Sequence, residues 1–160
     1  YYDISQQLIK GINVMGLDMY LTGDKYVGGS LKSSFMDLCD EPFQEIDGKP
    51  VDRIILELGT WRKHSKLHGY IVKNFAHNGE DDCQKIELTE DDLKRIVNAI
   101  RNKDLPHTEG FFFGNDEIDE RHAWDEIEKD NDENIKIFED AIEWLGEHTW
   151  RHSVYYCASW

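Results

Sequence analysis

At 160 residues, with 39% hydrophobic and 12% aromatic content, the chain suits a folded globular protein with a substantial core, not a disordered one. Lys and Arg total 18 against 33 Asp and Glu, a formal charge of −15. That balance argues against a nucleic-acid duplex or an anionic membrane as partner, since both require a basic footprint.

No apolar run approaches the length of a membrane span. The cysteines, Cys39, Cys83 and Cys157, form no CxxC pair. A zinc knuckle or redox pair is therefore not signalled, and an intracellular protein with free thiols is the simplest expectation.

In chain order, residues 1–14 read as an N-terminal extension and 15–160 as one domain. Leu17, Met19 and Leu21 alternate with Asp18, Tyr20 and Thr22, the pattern of a half-buried strand. Thr22-Gly23-Asp24-Lys25 then reads as a turn. Residues 30–52 read as a long connection anchored by Phe35, Met36, Leu38 and Phe43, with a turn at Asp47-Gly48. Arg53 to Leu58 is apolar at most positions, which predicts a central strand. A helix is expected from Trp61 to Ala76, with Leu67, Tyr70, Ile71 and Phe75 on its apolar stripe and a stop at Asn78-Gly79.

Lys85 to Leu88 reads as a short strand, followed by a helix capped at Thr89 and buried through Leu93, Ile96, Val97 and Ile100. The Gly-bounded run Phe111-Phe112-Phe113 alternates across an extended segment, so Phe111 and Phe113 share one face and Phe112 is left available for contact. A long helix is expected from about Asp119 to Glu147, with a polar middle. Ser153 to Trp160 reads as a closing strand. The order predicts an α+β fold, a mostly antiparallel sheet with about three helices packed on it.

The densest group of useful side chains is Trp61-Arg62-Lys63 with His64 and His68. Arg62 and Lys63 in a first helical turn suit an anion gathered by the helix N-terminus. Trp61, Phe112 and Trp160 would add aromatic contacts, and His68 a polar one. The ligand-binding set is thus Trp61, Arg62, Lys63, His68, Phe112 and Trp160. A metal is not expected: the His64/His68 pair has Ser65 where a zincin needs Glu, and the run from Asp130 has Ile135 in place of the EF-hand Gly. There is no GxSxG and no Walker-type loop, so no catalytic residue and no cofactor is assigned.

Gly16-Leu17-Asp18-Met19-Tyr20-Leu21, Trp61-Arg62-Lys63, Asp81-Asp82-Cys83, Leu105-Pro106 with Gly110 to Gly114, Asp119-Glu120 and the ending Tyr155 to Trp160 occur in this order. The chain thereby resembles a family of small phage and prophage proteins, whose pattern runs GLDMYL, WRK, DDC, GFFFG and YYxSSW. That resemblance implies a phage accessory protein acting in the host cytoplasm as a non-catalytic binding module. The implied ligand is a small anion such as a nucleotide signal, sequestered to counter host defence. The alternatives are a nucleotide or phosphoester hydrolase using His64 or His68 with an acid such as Asp82, and an interaction domain that binds itself or a host protein.

Overall fold

The computed structural model describes residues 17–28, 45–110, 114–115, 124–148 and 150–160, with the backbone alone for 109–110, 114–115 and 124–129. The expected extension at 1–14, the anchors Phe35, Met36, Leu38 and Phe43, Cys39, the Phe111 to Phe113 run and residues 119–123 lie outside the described residues.

The fold is α+β. Strands β1 (Asp18–Tyr26), β4 (Arg53–Arg62), β5 (Ile86–Leu88) and β8 (His152–Ser159) form one antiparallel sheet in the order β4-β1-β8-β5. Helices α1 (Ser65–Phe75), α2 (Glu90–Arg101) and α3 (Trp124–Glu147) supply the second layer. Met19, Leu21, Tyr156, Val154, Ile86 and Leu88 from the sheet meet Leu67, Ile71, Leu93, Ile96 and Phe138 from the helices in one core. Between β1 and β4 in the chain, a small hairpin pairs β2 (Glu45–Ile46) with β3 (Lys49–Pro50). Asp47 (φ 52°) and Gly48 (φ 71°) both take the left-handed conformation there, as a tight two-residue turn requires. A second short ladder pairs β6 (Glu109–Gly110) with β7 (Gly114–Asn115).

Three expectations need correction. The turn at Thr22 to Lys25 is instead the middle of β1, which runs unbroken for nine residues. Gly23 is there because the Trp144 ring lies over it, and a Cβ would come within 2.7 Å of that ring. Arg53 to Leu58 is not central: β4 is an edge strand, and its apolar run is only partly covered, with Ile55 67% exposed. The central places go to β1 and β8. The helix expected from Trp61 begins only at Ser65, because Trp61 and Arg62 continue β4 opposite Met19 and Asp18.

The other elements follow local chemistry. Thr89 caps α2 through a reciprocal box in which its hydroxyl accepts from the Asp92 amide at 3.2 Å and Asp92 accepts from the Thr89 amide at 3.0 Å. The polar middle of α3 stays helical, and Asn134 within it is buried. A bulge at Leu58 interrupts β4: Leu21 faces Gly59, but Thr22 faces Glu57. No described helix is long and apolar enough to cross a membrane.

Candidate functional site

The residues expected to bind together are divided by the fold. Trp61 turns inward, donating its indole N–H to Asn134 Oδ1 at 2.6 Å and stacking on Phe138 with centroids 5.4 Å apart. Asn134 also reaches His64 Nε2 at 3.3 Å. His64 is the N-cap of α1, with Nδ1 3.4 Å from the Leu67 N–H. A neutral imidazole has one acceptor nitrogen, so these two long contacts compete for it. Arg62 and Lys63 precede the helix. Their backbone therefore does not form the expected first-turn anion cradle. Lys63 takes φ 59° and donates its N–H to Leu17 O at 2.8 Å, closing the corner between strand and helix.

His68 lies on the inner side of α1, 2% exposed. Its Nδ1 is 2.7 Å from the Tyr156 hydroxyl and its Nε2 is 2.7 Å from Asp81 Oδ2. An ionised carboxylate only accepts, so Nε2 carries the hydrogen. Nδ1 is left to face the Tyr156 hydroxyl. Burial, reinforced by the Asp81 charge, pushes the Tyr156 phenol well above its ordinary value, so the hydroxyl keeps its proton. The Trp160 ring meets His68 edge-on at 5.8 Å. Thus His68 and Trp160 are brought together on the core side of the sheet, whereas Arg62 stands on the other face.

Such a chain resembles a nucleophile, base and orienting acid in order, but its setting limits it. The cavity beside it, lined by His68, Asp81, Cys83, Gln84, Ile86 and Tyr156 among others, measures about 10 Å³. That is room for about one water molecule, whereas small-molecule sites span about 300–1,000 Å³. The chain ties α1, the 80–84 loop and β8 together. Among the described residues, no group of three or more His, Cys, Asp or Glu is placed to hold a metal ion.

The opposite face of the sheet carries different chemistry. Alternation places Asp18, Tyr20, Thr22 and Asp24 of β1 away from the core, beside Ser153, Tyr155 and Cys157 of β8. Tyr20 pairs with Cys157 and Thr22 with Tyr155, so Tyr20 and Tyr155 are diagonal neighbours on the two central strands. Diagonal pairs sit about 7–8 Å apart, within reach of one aromatic ligand. Lys85 Nζ stands 3.8 Å from the centre of the Tyr155 ring. Arg62 flanks Tyr20 on β4, its side chain 71% exposed and only loosely paired with Asp18 at 3.6 Å. Arg53 (3.2 Å) and Lys85 (4.0 Å) both approach Asp24, which is 8% exposed.

Of the expected residues, Arg62 alone joins this face. Tyr20, Tyr155 and Lys85 were missing from the expected set. Tyr20 was discoverable, since it sits opposite Leu17, Met19 and Leu21 in the β1 alternation. Lys85 was not, because only the β5–β8 pairing carries it to Tyr155. No family model, no curated protein and no solved structure matches the chain.

Proposed function

We propose that the chain is a non-catalytic binding module that captures a small anionic ligand of the nucleotide class on the open face of its sheet. The observation that carries this reading is the diagonal Tyr20/Tyr155 pair on the two central strands, with Lys85 over one ring and Arg62 beside the other. A base stacked on an exposed aromatic gains about 1–3 kcal/mol. The exposed Arg62–Asp18 pair holds little energy, so the guanidinium can exchange that partner for a phosphate. This moves the site expected at Trp61 and His68 to the other side of the sheet, because those two side chains are engaged in the core. In keeping with the resemblance to phage proteins, the role would be sequestration of a nucleotide signal in the host cytoplasm.

Calorimetry and thermal shift against cyclic nucleotides and ADP-ribose test the reading. Tyr20→Ala and Arg62→Ala are each expected to weaken binding by about 5-fold or more, the lower end of one stacking contact. No binding by any of these nucleotides, or unchanged affinity in both variants, removes the site. Ligand recovered intact from denatured protein supports capture. Altered ligand would instead favour the hydrolase reading, and attention would return to His68 and Asp81.

A further inference from the structure

The outer edge of β4 is the longest strand edge in the sheet, and no described strand pairs with it. Its regular part is the five-residue stretch before the Leu58 bulge: Arg53, Ile54, Ile55, Leu56 and Glu57. Arg53, Ile55 and Glu57 share the outer face, and Ile54 and Leu56 the inner one, by alternation. An apolar edge that no described strand pairs with is a template for another strand. Ile55 is 67% exposed, Leu56 37%, and the Arg53 side chain 59%.

We infer that this edge pairs with a second copy of the chain, antiparallel and centred on Ile55. Opposed residues in an antiparallel pair lie on the same face, which restricts the register to whole steps that keep outer residues against outer residues. Centring on Ile54 sets Arg53 against Ile55 of the other copy. Centring on Leu56 sets Ile55 against Glu57. Centring on Ile55 sets Arg53 against Glu57 twice, Ile54 against Leu56 twice, and Ile55 against itself. That register alone gives each charge an opposite partner and each apolar residue an apolar one.

The bulge bends the strand immediately after Glu57 and so ends the pairing there. The symmetry is closed: the other sheet edge, β5, is three residues long and offers little to a further copy. The result is a dimer with one eight-stranded sheet, both helix layers on one side and both open faces on the other. It does not depend on what ligand those faces take.

Light scattering of the full chain at about 100 µM, a concentration chosen for a small interface, should give twice the 18.8 kDa of one chain. Glu57→Arg places like charges opposite each other and should return the mass to that of one chain. Glu57 is exposed, so an unchanged melting temperature and circular dichroism would separate lost pairing from lost folding. Ile55→Cys should form a covalent dimer on mild oxidation, because opposed Cα atoms at about 4.5–5.5 Å fall in disulfide range. Leu56→Cys, facing Ile54, should not exceed the unmodified chain. A single-chain mass at this concentration overturns the inference. So does a Glu57→Arg dimer, or cross-linking of the two cysteine variants to equal extent.

Discussion

Tyr156 joins the core and the polar network in one side chain: the residue is 1% exposed, and its hydroxyl meets His68 Nδ1 at 2.7 Å. Tyr156→Phe keeps the ring and removes the hydroxyl that pairs with buried His68 Nδ1, at an expected cost of about 1–3 kcal/mol in urea unfolding. The pH dependence has a definite sign. The folded phenol ionises well above the ordinary value of about 10, so above pH 10 the unfolded chain loses this proton first. The contribution is intact below pH 10 and is lost as pH rises beyond it. The unfolding midpoint should therefore fall more steeply between pH 9 and 11 in the native chain than in Tyr156→Phe; parallel slopes would contradict the assignment. The sequence shows His68 and Tyr156 as separate residues on a helix and a strand. Their 88-residue separation leaves no local sign that they meet.

At the scale of elements, β1 shows how a local signal is overruled. Thr-Gly-Asp-Lys carries turn chemistry, yet strand pairing on both sides holds it extended. The Gly serves a neighbour: Trp144 of α3 fills the place of a side chain, and its ring in turn stacks on His152 at 4.0 Å with planes 3° apart. His152 is itself fixed by donating Nδ1–H to the Trp144 carbonyl at 2.7 Å, so the indole lies between the Gly23 backbone and an anchored imidazole. Gly23→Ala should accordingly destabilise by about 1–3 kcal/mol, as overpacking does, measured by denaturant midpoint. A change within experimental error would mean that the indole moves freely. The α2 cap, by contrast, was legible as written, because Thr89 and the acids after it act within one turn. The end of β4 was not, since Trp61-Arg62 has helix-compatible composition and becomes strand only through its partners Met19 and Asp18.

For the whole molecule, the charge of −15 is the dominant electrostatic fact. Described ion pairs such as Lys136–Asp140 and Arg101–Glu139 are exposed and add little, so self-repulsion outweighs them. Screening lengths fall from about 30 Å at 0.01 M salt to about 10 Å at 0.1 M. Raising NaCl from about 10 mM to about 500 mM should therefore increase the melting temperature by about 2–4 °C, the shift for about 1 kcal/mol in a chain of this size. A melting temperature that falls with salt would show that attractive pairs prevail.

Alternation, capping and periodic burial are properties of neighbouring residues, and they determined the α+β class, the element order and most of the core from the sequence alone. Strand order, the edge position of β4 among the described strands and the Tyr20/Tyr155 neighbourhood required the tertiary structure. Each depends on which strands pair, and the contacts that decide pairing join residues dozens of positions apart. The binding residues expected at the start of α1 shared one stretch of sequence but not one surface. Strand geometry sent Trp61 into the core and left Arg62 outside, while β1, β5 and β8 brought Tyr20, Lys85 and Tyr155 to the face where Arg62 stands.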